Sequence, residues 1–270
     1  MADDRPNPSQ RGYRDLLDLT GRVAIITGAT KNIGYATAKL FADAGAELVL
    51  TARTAERLTA VAEEIGERSG RAVLAVPGDV TDVSSMDALA AAALERFGGV
   101  DIIVNNAFVG MGHQPTLDTP ADIWLDGLRG YIEGPQRLLR ALHDSMRTRG
   151  RGAVVNMVST AGFSPVAGLG AYGILKAAMW SSTRYLAREM APHIRVNAVC
   201  PGTTREGADP GENEIWKSVL PTVPLQRMAW PEETAAAALF LASDAASYTT
   251  GQVVFVDGGR VSLSGAYHSP

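Results

Sequence analysis

The sequence contains one cysteine, four histidines and no long apolar run, and each scarcity excludes a class of protein. The single cysteine, Cys200, cannot form an intrachain disulfide, which fits a reducing compartment and predicts a cytoplasmic protein. It lies in the apolar run 196–200, where a buried and inert thiol is expected rather than a nucleophile. The histidines show no metal-ligand spacing, so no metal site is predicted.

Membrane and nucleic-acid binding are not expected either. No segment reaches the roughly 18 apolar residues of a membrane span, and the first eight residues lack the apolar core of a secretory signal. The net charge is −4, from 25 basic and 29 acidic residues, and no basic block stands out. Hydrophobic residues make up 46% of the 270, which is enough for a substantial core.

Short apolar runs alternate with amphipathic segments, which is typical of parallel strands joined by crossover helices. Strands are predicted at Val23–Thr27, Glu47–Thr51, Arg71–Pro77, Asp101–Asn105, Ala153–Val158, Arg195–Val199 and Gln252–Val256. Helices are predicted at Ile33–Ala44, Ala55–Ser69, Ser84–Phe97, Ala121–Arg149, Tyr172–Ala191 and Glu232–Ala242. Because the run Val100–Val104 is nearly all apolar, we expect helices on both faces of the sheet.

One α/β domain is expected at residues 19–270, preceded by a polar arm at residues 1–18. No repeat or linker divides the domain. Proline and glycine are dense between residues 201 and 230, where the alternation breaks. This segment is interpreted as a surface excursion that forms a substrate loop.

A glycine-containing turn follows the first predicted strand and opens a helix. Strand, turn and helix N-terminus together form a pyrophosphate site, because free backbone N–H groups and the helix dipole face the anion. The cofactor-binding candidates in this turn are Gly28, Lys31, Asn32, Ile33 and Gly34. Asn32 stands where a middle glycine is expected, and asparagine tolerates left-handed backbone better than most residues.

The end of the second strand bears on which nucleotide binds. An NAD site usually places an acid there for the ribose hydroxyls, whereas a 2′-phosphate calls for a cation. No acid occurs between Leu48 and Thr54, and Arg53 is available, with Lys31 in the glycine turn as a second cation. NADP(H) is therefore favoured. The alternative is that both cations are solvated surface charges and the cofactor is NAD(H).

Three residues with acid–base potential follow in order. Ser159 ends a strand-like run, Tyr172 lies thirteen residues on, and Lys176 follows Tyr172 by four. On one helix, that spacing places tyrosine and lysine on the same face. A nearby ammonium favours phenolate and lowers the tyrosine pKa, which makes Tyr172 a usable general acid/base. A tyrosine and a lysine also fall four apart on many helices by chance.

The ordered motifs from Gly21 to Arg260 resemble the short-chain dehydrogenase/reductase family. They are the turn 27–34, Asp79-Val80, Asn105-Asn106-Ala107, Ser159, Tyr172, Lys176, the segment 197–202 and the segment 256–259. The resemblance implies a Rossmann-type, doubly wound sheet of seven parallel strands and nicotinamide-dependent carbonyl–alcohol chemistry. The direct Tyr–Lys spacing is unlike the family's enoyl reductases, which usually place more residues between the two.

The resemblance also implies residue roles. Ser159 would hydrogen-bond the substrate oxygen, Tyr172 would transfer the proton, and Lys176 would bind the nicotinamide ribose. The cofactor contacts that it implies are Asp79 and Val80 to adenine, Asn106 and Ala107 to ribose, and Pro201, Gly202 and Thr204 near the nicotinamide.

Two departures from the family pattern affect the site. The family's fourth catalytic group, an asparagine that helps hold a water joining lysine to solvent, falls at Tyr131, and no asparagine occurs from Ala107 to Val155. Tyr131 either supplies a hydroxyl to this relay or leaves it broken. Phe108 replaces the usual glycine after Ala107, and is either a ring near the active-site entrance or core filler.

The predicted function is an NADP(H)-dependent oxidoreductase that interconverts a ketone and a secondary alcohol. The alternatives are a cofactor-binding protein of weak turnover, motivated by Tyr131, and an NAD-dependent alcohol dehydrogenase. An apolar substrate is expected, because the excursion and the opposite loops supply apolar residues. These are Trp216, Val219, Leu220, Val223, Leu225, Met228, Phe108, Met111 and Phe163.

A homotetramer is the expected assembly. The helix Tyr172–Ala191 carries Met179, Trp180 and Leu186, more apolar residues than one sheet face should need. The resemblance suggests that this helix and the one before it pair across a two-fold axis. The alternative is that these residues pack in the core of a single copy.

Overall fold

The computed structural model of the chain describes residues 12–205 and 219–261. Seven parallel strands form one sheet in the order β3-β2-β1-β4-β5-β6-β7. Their bounds are β1 Val23–Thr27, β2 Glu47–Thr51, β3 Val73–Ala75, β4 Ile102–Asn105, β5 Gly152–Met157, β6 Ile194–Pro201 and β7 Val253–Val256. The predicted sheet is confirmed. The third strand is shorter than predicted, because it lies at the edge and pairs with β2 over three residues only.

Helices cover both faces of this sheet. Their bounds are α1 Tyr13–Leu16, α2 Asn32–Asp43, α3 Ala55–Ser69, α4 Val83–Phe97, α5 Ala121–Leu128, α6 Gly134–Arg149, α7 Gly170–Met190 and α8 Pro231–Ala242. Alternate residues of the central strands pack into different apolar layers: Ile26 and Leu50 into one, Ile25 and Val49 into the other. A parallel sheet buried on both sides explains why these strands contain so few polar residues.

The single helix predicted over residues 121–149 is wrong in one respect. A π-helical turn, Arg129–Glu133, separates α5 from α6. The wide turn brings glycines against neighbouring loops: a Cβ at Gly130 would lie 2.3 Å from Val109 Cγ2, and one at Gly134 would lie 2.3 Å from the Val80 carbonyl oxygen. Turns of this kind occur frequently at functional sites.

The strand order locates the crevice of the fold. The central strand β1 pairs with β2 on one side and with β4 on the other, so the connections that leave β1 and β4 diverge. Ligands of open parallel sheets bind outside the carboxyl ends of the strands at such a switch point. The glycine turn after β1 and the segment after β4 meet there.

Within residues 12–205 and 219–261, no helix has the length and apolar character needed to cross a membrane. The same part of the chain contains no group of three or more His, Cys, Asp or Glu side chains that could hold a metal ion. Most of the predicted arm, and Trp216 of the predicted substrate loop, lie outside the described residues. Met179 of α7 is 3% exposed, so it belongs to the core rather than to a surplus apolar face.

Candidate active site

The glycine turn after β1 is shaped by two close backbone approaches. Gly28 has a φ of +66°, and a Cβ there would lie 2.8 Å from the Cα of Ala107. At Gly34, a Cβ would lie 2.2 Å from the Gly28 carbonyl oxygen. Asn32 adopts a φ of 48°, the left-handed conformation that the sequence analysis expected it to tolerate. The turn therefore keeps its shape, and the first N–H groups of α2 lie at its mouth.

The other residues of this turn separate into core and surface. Ile33 is partly buried and packs against the core beneath the sheet. Lys31 and Arg53, which follow β1 and β2, are both exposed, and neither pairs with a carboxylate among the described residues. Two exposed cations therefore lie on the side where the 2′-phosphate is predicted.

The Thr27 hydroxyl, which was not predicted as a site residue, joins the glycine turn after β1 to the segment after β4 by hydrogen bonds. Thr27 Oγ1 accepts hydrogen bonds from the backbone N–H groups of Asn106 and Ala107, each at 3.0 Å. The Asn106 side chain returns a hydrogen bond to the Thr27 carbonyl oxygen at 2.9 Å. A threonine as the last residue of the first strand is the signal that could have identified it. The segment that contains Asn106 and Ala107 is thus held against the glycine turn.

The remaining cofactor candidates lie on loops at the same edge. Asp79 Oδ1 accepts from the backbone N–H and the hydroxyl of Thr81, both at 2.9 Å, which folds the loop around Val80. Pro201 ends β6, and a Cβ at Gly202 would lie 2.7 Å from the Cα of Asp257. The Thr204 hydroxyl donates to the Gly202 carbonyl oxygen at 3.3 Å.

The structure brings together Ser159, Tyr172 and Lys176. Ser159 follows β5, and Tyr172 and Lys176 lie one turn apart at the start of α7. Lys176 is 4% exposed, and its Nζ donates to the Met157 carbonyl oxygen at 2.7 Å. Burial raises the pKa of Tyr172, and a hydrogen bond with the Ser159 side chain opposes that rise. The two hydroxyls are therefore neighbours.

The expected effect of Lys176 on Tyr172 differs from what the structure gives. The Tyr–Lys spacing predicted that the ammonium would lower the pKa of Tyr172, yet that pKa is raised, with burial as the main cause. Burial also lowers the pKa of Lys176 to about 7, so the lysine is only partly charged at neutral pH. Desolvation is the main cause of both shifts.

Tyr131 lies in the π-helical turn, is 1% exposed, and presents its ring rather than its hydroxyl to Lys176. Lys176 Nζ lies 4.0 Å from the centroid of that ring, within cation–π range. The hydroxyl donates to the Val109 carbonyl oxygen at 2.9 Å and accepts from the Val109 N–H at 3.0 Å. Its one proton is therefore donated to Val109, so this hydroxyl can contribute to the relay only by accepting a hydrogen bond. Burial raises the pKa of Tyr131, so the phenol stays protonated.

Phe108 is a second aromatic residue of the site, and the alternative that it fills the core is wrong. Its side chain is 67% exposed, and its ring centroid lies 5.8 Å from that of Tyr172. The ring of Tyr131 also lies 5.9 Å from that of Tyr172, in an edge-on arrangement. Tyr172 therefore has two aromatic neighbours.

The predicted apolar lining is only partly correct. Met111 and Met228 are 3% and 7% exposed, so they pack in the core. Phe163 packs against Phe255, with 4.8 Å between ring centroids. A cavity of about 400 Å³ lies nearby, and neither Ser159 nor Tyr172 is among the residues that line it. These residues are Thr203, Val223–Leu225, Arg227, Ala229, Glu233 and Phe255–Gly259.

Known proteins are similar to this chain over most of its length. A family model described as enoyl-(acyl carrier protein) reductase matches residues 28–260. An uncharacterized oxidoreductase of Mycobacterium bovis is 38% identical over 245 residues, 90% of this chain and 98% of the relative. The dehydrogenase/reductase SDR family member 4 of Bos taurus is 34% identical over 252 residues, 90% of this chain and 88% of that protein.

A solved structure has a similar fold over most of this chain. The L-sorbose reductase of Gluconobacter frateurii, crystallised with NADPH and L-sorbose, matches with a TM-score of 0.84 at 33% identity. The match covers 91% of this chain and 98% of that one. Sequence and fold therefore agree over the region that holds the glycine turn and the Ser159, Tyr172 and Lys176 side chains.

Proposed function

The chain belongs to the short-chain dehydrogenase/reductase family of oxidoreductases that act on CH–OH and C=O groups, and we propose that this member interconverts a ketone and a secondary alcohol with NADP(H). The observation that carries the proposal is the meeting of Ser159, Tyr172 and Lys176 at the carboxyl edge of the sheet. They lie two strands from the glycine turn that follows β1.

Each of the three side chains has a role in the proposed reaction. The Ser159 hydroxyl hydrogen-bonds the carbonyl oxygen of the substrate, and the Tyr172 hydroxyl donates its proton to the same oxygen during reduction. When bound, the nicotinamide supplies the hydride. Lys176 Nζ lies 5.8 Å from the Tyr172 ring centroid, so the charged form of the lysine would stabilise the phenolate that remains after proton transfer. By family resemblance, Lys176 would also hold the nicotinamide ribose.

The glycine turn and the loops beside it fit a dinucleotide. Because Gly28 and Gly34 lack a Cβ, the turn packs closely against Ala107 and on itself. This shape presents the first N–H groups of α2, which can bind a pyrophosphate. Lys31 and Arg53 are exposed and have no carboxylate partner within residues 12–205 and 219–261, which favours the 2′-phosphate of NADP(H), with NAD(H) as the alternative. By family resemblance, the remaining contacts come from Asp79 and Val80 at the adenine, Asn106 and Ala107 at the ribose, and Pro201, Gly202 and Thr204 near the nicotinamide.

Carbonyl reduction is favoured over enoyl reduction, although the matching family model is described by the latter. Tyr172 and Lys176 lie four apart, whereas the family's enoyl reductases usually place more residues between the two. A largely apolar ketone is the proposed substrate, because Phe108 exposes its ring beside Tyr172. The substrate loop at residues 201–230 is proposed to complete the pocket.

A homotetramer is the proposed assembly. Exposed apolar side chains lie along α5 and α7, where Leu125, Leu128, Ile174 and Tyr185 are 51%, 45%, 51% and 69% exposed. Faces of this kind on a soluble chain mark contacts between subunits. The two helices would pair with their counterparts across a two-fold axis.

One observation favours a second candidate function, a cofactor-binding protein of weak turnover. The Tyr131 hydroxyl is committed to Val109 and does not reach Lys176, so this chain lacks the side-chain link that the family's asparagine provides. A protein of this second kind would bind the dinucleotide tightly but reduce ketones slowly.

Cofactor titration followed by turnover on a ketone panel separates the candidates. The proposed function predicts saturable NADPH binding and steady oxidation of NADPH when a ketone is added. Binding without oxidation across the panel would favour the cofactor-binding protein, and a preference for NADH would favour the NAD-dependent alternative. An α,β-unsaturated thioester in the same panel tests enoyl reduction.

A further inference from the structure

The loop that follows β4 carries an exposed aromatic ring in a fixed position. Phe108 is 67% exposed, although a large apolar side chain is ordinarily stabilised by burial. Its one ring partner among the described residues is Tyr172, with 5.8 Å between centroids and an interplanar angle of 58°. The free part of the ring therefore lies beside the residue proposed to donate the proton.

The backbone is anchored on both sides of Phe108. Before it, the Ala107 N–H donates to Thr27 Oγ1 at 3.0 Å. After it, both backbone groups of Val109 bond to the Tyr131 hydroxyl, at 2.9 and 3.0 Å. The Val109 side chain also packs against Gly130, where a Cβ would lie only 2.3 Å from Val109 Cγ2. Phe108 is thus the one residue between two anchors.

The Tyr131 side chain connects this loop to the chemistry. Its ring lies 4.0 Å from Lys176 Nζ and 5.9 Å from the Tyr172 ring, while its hydroxyl fixes Val109. One buried side chain therefore sets the positions of Lys176, Tyr172 and the loop with respect to one another. Pre-organised aromatic side chains contribute binding energy without first losing conformational freedom.

We propose that Phe108 determines substrate specificity by stacking on an aryl or other flat, unsaturated group carried directly on the substrate carbonyl, and that Tyr131 is the positioning residue that holds it there through Val109. This inference rests on the proposed function. A carbonyl oxygen bound between Ser159 and Tyr172 brings its substituent next to the Phe108 ring. Aryl ketones and the corresponding secondary benzylic alcohols are the substrate class.

The test compares two ketones of equal carbon number, acetophenone and cyclohexyl methyl ketone, with NADPH. The measured quantity is the ratio of their kcat/KM values, aryl over saturated, so that intrinsic reactivity cancels between variants. Phe108→Leu keeps apolar bulk and loses the ring, and should lower the ratio about 3- to 10-fold, the range expected for one aromatic pair. The fall should come mainly from a higher KM for acetophenone.

Tyr131→Phe keeps the ring beside Lys176 and removes both hydrogen bonds to Val109. It should lower the same ratio, and the double variant should fall no further than Phe108→Leu alone, because Tyr131 acts through Phe108. Leu117→Ala is the matched control: Leu117 is 98% exposed on the same connection between β4 and α5, and its loss should leave the ratio unchanged.

A binding measurement separates this inference from the proposed function. Calorimetric titration of 1-phenylethanol and 1-cyclohexylethanol onto the protein with NADPH involves no turnover. A wild-type preference for the aryl alcohol that Phe108→Leu abolishes supports the inference even if no ketone is reduced, in which case only the proposed function fails. Equal ratios in wild type and Phe108→Leu, in kinetics or in binding, would overturn the role of Phe108.

Discussion

The pH dependence of stability should report the charge on Lys176. Burial lowers the pKa of this lysine from 10.5 to about 7 in the folded protein. Between these values the unfolded chain binds more protons than the folded one, so the stability of the wild type should rise as the pH rises through this window. Lys176→Met removes the buried charge with little change in side-chain volume.

The expected magnitude follows from the same two pKa values. Integrated over pH, the cost of the buried charge is about 5 kcal/mol at pH 6 and about 2 kcal/mol at pH 9. The unfolding free energy of Lys176→Met, relative to the wild type, should therefore fall by about 3 kcal/mol between these pH values. The lost hydrogen bond to Met157 affects both pH values alike and cancels in the difference.

Thermal unfolding of both proteins at matched ionic strength measures this difference. A chain of this size class shifts in Tm by about 2–4 °C per kcal/mol. The Tm of Lys176→Met, relative to that of the wild type, should therefore fall by about 6–12 °C between pH 6 and pH 9. Lys39→Met is the control, because Lys39 Nζ also lies over a tyrosine ring, 5.2 Å from the centroid of Tyr35, but at the surface. A Tm difference that stays constant with pH, or an equal trend in the control, would refute the reasoning.

Three further outcomes are expected. Tyr172→Phe should bind NADPH nearly normally and lose about 10²–10⁴-fold in turnover, measured by NADPH absorbance. Tyr185→Phe, on the same helix, should keep its activity. Comparable rates for the two variants would contradict the acid–base role of Tyr172. Arg53→Ala should weaken NADPH binding by about 1.5–3 kcal/mol in fluorescence titrations and leave NADH binding unchanged. Arg188→Ala is the distant control. Equal affinities of the wild type for the two cofactors would count against NADP(H). Light scattering should give the mass of a tetramer, and a stable monomer at micromolar concentration would disprove the assembly.

The parts of the fold that depend on local pattern could be predicted from the sequence. β1 and β2 have the predicted bounds, because a buried parallel strand is an uninterrupted apolar run between a turn and a helix. Tyr172 and Lys176 meet because four residues make one turn of a helix. Asn32 adopts left-handed backbone as expected, since that preference belongs to the residue itself.

The parts that depend on distant packing could not be predicted. The sequence places Tyr131 near Lys176, but the direction of its hydroxyl depends on Val109, which lies 22 residues away. The exposure of Phe108 likewise depends on how its loop packs in the folded chain. The pKa of Lys176 follows from how completely the surrounding elements exclude water, a property of the assembled core and not of the sequence spacing.

The hydrogen bonds of Thr27 have a consequence for the order in which the site is completed. This residue is made early, but the N–H groups that its hydroxyl accepts from lie 79 and 80 residues later in the chain. During synthesis, the glycine turn can therefore form with α2 well before its second wall exists. A dinucleotide can stabilise the nascent chain only after β4 has emerged and docked on β1. A nicotinamide cofactor should therefore act as a late ligand in folding and not as a nucleus for it.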